Sequence, residues 1–236
     1  SVLVKKKILS VALILLMVFT ITGCGSSSSN DDNYSNNNSS SNSSNSSSTK
    51  KQETKELTES EKMIIKISAL FDEKLAFDTG SYIQGDIPAG EYAFVKFSGS
   101  GSYYCEKDGT GNIVDNENFD SFGYVKVHSV GNLETRGVLI NVSAFEKLGV
   151  KGAKEIYEIL NNQSNWNQGG YYKVGVDIDP GSYVVESIGS GYWSIMTGPV
   201  SASDIVDNDN FSGRASINLS NGQYLKLSRA TISKAE

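Results

Sequence analysis

Ile113-Val114-Asp115-Asn116-Glu117-Asn118-Phe119 recurs 92 residues later as Ile205-Val206-Asp207-Asn208-Asp209-Asn210-Phe211. Six of the seven positions are identical, and the one change, Glu117 to Asp209, keeps the charge. A second pair precedes it in the same order: Gly85-Asp86-Ile87-Pro88-Ala89-Gly90-Glu91-Tyr92 and Gly175-Val176-Asp177-Ile178-Asp179-Pro180-Gly181-Ser182-Tyr183. Two matches in one order and at nearly the same offset mark an internal duplication, so the chain carries two homologous modules of roughly 60 residues each.

Around these landmarks each module reads as short strands. In the second, residues 171–176, 183–187, 192–196, 215–219 and 224–228 are rich in Tyr, Val and Ile, and Gly, Pro, Asn and Asp separate them. Ala215, Ile217 and Leu219 alternate with Ser216 and Asn218, which predicts one buried and one wet face. Asn221-Gly222 between two such runs predicts a two-residue hairpin, with Gly131-Asn132 at the matching place. Thr58-x-x-Glu61 is a capping box, after which Met63, Ile64, Ile67, Leu70, Phe71, Lys74 and Leu75 trace one helical face, apolar except at Lys74. Ser143-x-x-Glu146 offers a second box between the modules, with Gly149 and Gly152 interrupting the pattern. The expected fold is mainly β: two tandem small antiparallel β-sandwich or jelly-roll-like modules, each preceded by a helical segment that covers a sheet. The division expected is helix plus module over 57–143, then helical linker plus module over 144–236, with the possibility that both share one core.

The N-terminal quarter has a different character. Lys5-Lys6-Lys7, an apolar run over 8–18 and a small-residue approach to Cys24 form a secretory signal peptide over 1–23. The stretch of 15 residues over 8–22, which contains Ser10 and Thr20, is short of the ~20 that a membrane-spanning helix needs. Ser1 stands where an initiator Met is expected. Residues 24–56 join the leader to the modules, and their Ser/Asn-rich run has almost nothing to bury and is expected to be a disordered tether. At ~5–6 Å times the square root of its length, such a tether reaches roughly 25–30 Å. Its Asn-x-Ser triplets read as a by-product of composition rather than glycosylation sites.

Charge and cysteine content narrow the function classes. The chain has 21 basic and 27 acidic residues, and loss of the leader's three lysines leaves 18 against 27. An acidic surface argues against nucleic-acid binding, which rests on Lys and Arg. Of the two cysteines, lipidation of Cys24 leaves Cys105 with no partner for a disulfide. Cys105, in Tyr103-Tyr104-Cys105-Glu106, reads as a small buried hydrophobe. His128 is the only histidine, which argues against a catalytic triad or a zinc site; alignment on the hairpins matches it with Asn218 on the wet face. No acidic residue stands apart from solvated surface charge, and no cofactor is expected.

Two leads remain. Asp115, Glu117, Asp207 and Asp209 could supply oxygen ligands to Ca²⁺, but Phe119 and Phe211 break the EF-hand spacing. The alternative is an Asx-rich turn that sends each Phe into the core. Tyr103-Tyr104 and Tyr192-Trp193 follow Gly99-Ser100-Gly101 and Gly189-Ser190-Gly191, which read as hairpin tips. One aromatic of each pair should face outward and could stack on a sugar ring or meet a protein partner.

Ile21-Thr22-Gly23-Cys24 resembles the bacterial lipobox, in which the cysteine receives a diacylglycerol group. From about Glu61 onward the chain resembles uncharacterised surface lipoproteins of low-GC Gram-positive, especially clostridial, bacteria. The resemblance rests on Asp86 to Tyr92, Asn208 to Phe211, and Gly222-Gln223-Tyr224-Leu225-Lys226-Leu227. The second copy departs as Asp-Ile-Asp-Pro-Gly, and the first has no clear Gly-Gln-Tyr-Leu-Lys-Leu. It implies a cell-membrane address on the extracytoplasmic face, through the lipid anchor, and carries over no functional residues. The expectation is a non-catalytic binding or envelope-associated protein whose partner is a cell-wall glycan or surface protein. The alternatives are a wall-glycan hydrolase using carboxylates or a passive structural component of the envelope.

Overall fold

The computed structural model describes residues 55–236; the leader, Cys24 and most of the tether lie outside them. The described chain is mainly β, with antiparallel sheets and short helices. It begins with helix α1 (Glu59–Asp72), where the Thr58 hydroxyl and the Glu61 carboxylate close both halves of the capping box. Met63, Ile67 and Leu70 are its buried stripe.

Module 1 is a sandwich of two four-stranded sheets. The first has the order β1 (Ala76–Phe77), β8 (Val138–Asn141), β3 (Gly90–Val95), β6 (Phe122–Val127), and the second β2 (Gly80–Tyr82), β7 (Leu133–Thr135), β4 (Tyr103–Lys107), β5 (Ile113–Asn118). Tyr92, Phe94, Val125, Val127 and Leu139 from the first sheet meet Tyr82, Tyr104 and Leu133 from the second, with Phe119 between.

Module 2 repeats this topology with two strands left unbroken. In β10 (Gly181–Met196), residues 181–186 pair with β12 (Arg214–Leu219) and residues 191–196 with β11 (Ile205–Phe211). Strand β13 (Tyr224–Lys234) follows β10 through both halves, and β9 (Gly170–Lys173) closes the far edge. The strands β3 and β4 are thus one strand in module 2, and so are β7 and β8. Gly189-Ser190-Gly191 lies inside β10, where the register slips between Ser187 and Tyr192. It is therefore not a hairpin tip: the chain bends there from one sheet into the other without reversing, as it does at Gly99-Ser100-Gly101. Phe211 sits so close that a Cβ on Gly191 would stand 2.7 Å from its ring. The Asn221-Gly222 turn likewise makes no hairpin, because β12 and β13 do not pair; it arches between the two sheets.

Each module is pinned by the same pair of tyrosine hydroxyls. Tyr92 donates to the Pro88 carbonyl at 2.9 Å and Tyr183 to that of Asp179 at 2.7 Å. Tyr82 donates to Asp78 at 2.6 Å and Tyr172 to Gln168 at 2.5 Å. A rigid ring thus fastens each strand to the turn four residues before it, at the net ~1 kcal/mol of a satisfied hydrogen bond.

The Asp/Asn heptapeptide is an edge strand and not an Asx turn. In β5, residues 115–118 pair with Glu106 to Tyr103, and in β11 residues 207–210 pair with Ile195 to Tyr192. Asp and Asn are poor strand formers, but pairing and the burial of Phe119 and Phe211 at the strand end override that preference. Polar side chains on an outermost strand also discourage edge-to-edge aggregation.

The copies diverge where a helical layer is added. The face of module 1's first sheet turned away from the sandwich carries Ala93, Val95, Phe122, Tyr124, Val138 and Ile140. By ladder register the matching residues of module 2 are Val184, Glu186, Arg214, Ser216, Thr231 and Ser233. The apolar face is covered by α1 and by the linker, α2 (Phe145–Leu148) and α3 (Ala153–Leu160); the polar face needs no cover. Ser143 does not cap α2. It lies in a 3-10 turn, Val142–Ala144, where its own N–H donates to the Asn141 side chain, and α2 starts with no side-chain cap. Gly149, at φ 71°, ends α2 in the left-handed conformation that glycine takes without strain.

One hydrophobic cluster runs from α1 through α3 into the interior of module 2, and a second fills module 1. The modules are joined where the β5/β6 side of module 1 rests on the outer face and the β9 edge of module 2. Phe119 tilts on Tyr171 at 4.8 Å, Phe122 meets Tyr172 at 5.0 Å and Tyr124 meets Tyr224 at 5.9 Å. Ion pairs Glu91–Lys173 and Glu117–Lys226, each 3.0 Å, flank the rings.

Candidate functional site in the cleft between the modules

The joint leaves a cleft of about 400 Å³. One wall is β5, with Val114, Asp115 and Glu117; the other is module 2's outer face, with Tyr192, Ser194 and Lys226, and the loop carrying Ser201 and Ser203. Strand alternation places these groups. Trp193 and Ile195 turn into the sandwich, so Tyr192 and Ser194 turn out; Leu225 and Leu227 turn in, so Lys226 turns out.

Lys226 is the centre of the charge pattern. Its ammonium bridges Glu117 and lies 5.1 Å from the Tyr171 ring centroid and 5.5 Å from that of Tyr192. Tyr192 accepts a hydrogen bond from the Asn208 amide at 3.0 Å, which fixes the ring against the wall. The Ser194 hydroxyl is buried and has no hydrogen-bond partner among the described residues. An unfilled buried hydroxyl costs ~1–3 kcal/mol, so a ligand group that met it would recover part of that.

Asp115 connects the cleft to a buried polar cluster. Glu106 is fully buried, and both of its oxygens accept the His128 backbone N–H at 3.0 Å. The Tyr104 hydroxyl donates to it at 3.3 Å, and His128 Nδ1 lies 3.3 Å from Glu106 and 3.9 Å from Asp115. Burial pushes the Asp115 carboxyl above its ordinary value, and the charges of Glu106 and Asp204 add to this against the pull of His128. Burial also raises the Tyr104 hydroxyl, with Glu106 reinforcing it.

A carboxyl raised in the fold penalises the folded state while ionised. The penalty is relieved as pH falls from above the raised value towards the ordinary 3.8. Asp177, raised by burial, acts in the same direction. Asp108 acts oppositely: hydrogen bonds from Thr110 and Asn112 lower it to about 2, so its contribution is lost only between 3.8 and about 2. Melting temperatures of the wild type and Asp115→Asn followed from pH 7 down to about 4 should therefore show a smaller acid-induced gain in the variant; identical profiles would rule Asp115 out as a source.

The structure sorts the sequence candidates. Tyr192, Asp115 and Glu117 come together in the cleft. Tyr103 lies apart, on the outer face of module 1's second sheet, in a separate groove of about 300 Å³ beside buried Cys105 and Glu134. Tyr104 and Trp193 are in the sandwich interiors and present no surface for stacking. Asp207 and Asp209 are exposed on β11, away from the cleft carboxylates, and among the described residues no group of His, Cys, Asp and Glu is placed to hold a metal ion. Glu106 escaped the sequence reading, which placed every acid on the surface. Its signal was phase: Glu106 alternates in step with Tyr104, and its counterpart in module 2 is Ile195. By the same register His128 matches Ser220 rather than Asn218, and its side chain is one-third exposed, 33%.

No protein-family model, curated protein or solved structure matches this chain.

Proposed function

We propose that this is an extracytoplasmic lipoprotein, held at the cell membrane through Cys24, that binds a cell-wall glycan in the cleft between its modules. The observation that carries the reading is the cleft itself: carboxylates, serine hydroxyls and an aromatic ring converge there from two rigid sheets. Sugars are recognised by this mixture, with hydroxyls hydrogen-bonded by carboxylates and serines and a ring face packed on an aromatic side chain. Asp115 and Glu117 lie two residues apart on one strand, and Glu117 is held by Lys226. Glycoside hydrolysis needs two carboxyl groups flanking the scissile bond, so the arrangement supports binding rather than cleavage. The anchor reading rests on the lipobox-like tetrapeptide after an apolar leader. A lipid anchor holds firmly when two acyl chains act together.

Calorimetric titration with defined wall-glycan fragments tests the site. Tyr192→Ala should weaken binding by about two- to tenfold, the worth of a stacked ring, whereas Tyr103→Ala should leave it unchanged. No binding by any fragment, or equal binding by Tyr192→Ala, would reject the glycan reading. Recovery of Cys24→Ser in the membrane fraction, undiminished, would reject the anchor.

A further inference from the structure

The joint between the modules is an interaction that the chain displays once and is equipped to make twice. In module 1, strand β5 sits against module 2 with Val114 half-buried and Glu117 paired with Lys226. Strand β11 carries the same heptapeptide on the same ladder: Tyr192 faces Asn210 as Tyr103 faces Asn118, and Trp193 faces Asp209 as Tyr104 faces Glu117. Yet β11 is bare. Val206, the counterpart of Val114, is 60% exposed, and Asp207 and Asp209 are exposed and make no ion pair among the described residues.

A second copy of the chain does not fit this edge. The face that receives β5 is built on Tyr171, Lys173 and Lys226, and module 1 already fills it. By register the equivalent face of module 1 has Ser81, Ile83 and Glu134 at those places. Glu134 there would repel Asp209 where Lys226 attracts Glu117. Like charges across an interface exclude a partner as effectively as complementary ones select it.

We propose that the β11 edge of module 2 docks another protein, one that presents a β-sheet face with a lysine flanked by tyrosines in the arrangement of Lys226, Tyr171 and Tyr192. The contact is smaller than the internal one, because Phe122 and Tyr124 of the β6 side have the polar counterparts Arg214 and Ser216. A strip of this kind gives a transient, salt-sensitive association.

The test installs the missing face on the chain itself. Ser81→Tyr, Ile83→Lys and Glu134→Lys together convert module 1's face to the receiving type, in the mature chain, with folding checked by thermal melting. In sedimentation at low salt the wild type should stay monomeric, whereas the triple variant should rise at least about twofold in weight-average mass and fall back at high salt. Adding Asp207→Lys and Asp209→Lys should restore the monomer. A triple variant that stays monomeric, or associates regardless of the β11 changes, overturns the proposal. So does a wild type that self-associates through Asp207 and Asp209, since the occupant is then a second copy. If the triple variant does not fold, Glu134→Lys alone is treated with a zero-length carbodiimide. A cross-link from Asp209 to the side chain introduced at position 134 supports the docking surface, and its absence counts against it.

Discussion

Asp177→Ala should destabilise the protein by about 3 kcal/mol, because one carboxylate satisfies donors from three separate elements. Its oxygens accept the Tyr124 hydroxyl of β6 at 2.7 Å, the Lys173 N–H of β9 at 2.8 Å and the Lys154 N–H in the first turn of α3 at 3.1 Å. The Tyr124 hydroxyl in turn accepts the Ala153 N–H at 3.0 Å. Helix α3 has Gly152 at its N-cap and no side-chain cap of its own, so a residue 23 positions further along does the capping. The negative charge also sits favourably at the helix N-terminus. Truncation leaves two backbone N–H groups and a tyrosine hydroxyl to find new partners in a partly buried site. For a domain of this size the loss is a fall in melting temperature of about 6–12 °C. Asp177→Asn keeps one acceptor oxygen and should fall between the two. A melting temperature for Asp177→Ala within a degree or two of wild type would mean that the three elements are held by packing alone.

Phe119→Ala is the second large effect, expected at about 3–5 kcal/mol. The ring stacks on Phe94 at 4.4 Å with 21° between planes and tilts on Tyr171 of the other module at 4.8 Å. Gly123 lets it in, since a Cβ there would come within 2.5 Å of the ring. The change therefore opens a cavity in the module 1 core and loosens the joint together. Its repeat counterpart gives the control. Phe211 is 8% exposed and has no second module over it, so Phe211→Ala should cost clearly less. Equal losses in denaturant titrations of the two variants would show that the module 2 side of the Phe119 site contributes nothing.

These two positions also show what sequence reasoning can reach. Phe119 and Phe211 are legible as buried residues from the duplication alone, and the capping box of α1 from four residues. The Asp/Asn run before each Phe was legible as a unit but not as a strand, because local propensity points to a turn and the ladder that overrides it comes from distant residues. The same holds for the sheet switch at Gly-Ser-Gly: glycine marks a bend, while the direction after the bend depends on which strand waits there. Of the cleft, Tyr192, Asp115 and Glu117 were among the candidates, whereas Lys226 and Ser194 were not. They matter because two modules meet at them, and one sequence without an alignment carries no trace of which surfaces touch. Asp177 was visible only as part of a turn motif, and its role as the remote cap of α3 belongs to the assembled fold.

The unbroken strand β13 has a consequence for synthesis. It is the last strand of the described residues, and it serves both halves of the module 2 sheet and, through Tyr224 and Lys226, the joint with module 1. A chain emerging from its N-terminus therefore leaves Tyr124 without the Tyr224 ring, and Glu117 without Lys226, until residues 224–234 have arrived. Folding cannot finish module by module as it would for beads on a string; the nascent chain must be kept from sticking to its neighbours until β13 has emerged, and loss of residues 224–234 would be felt at the joint with the first module as well as in the second.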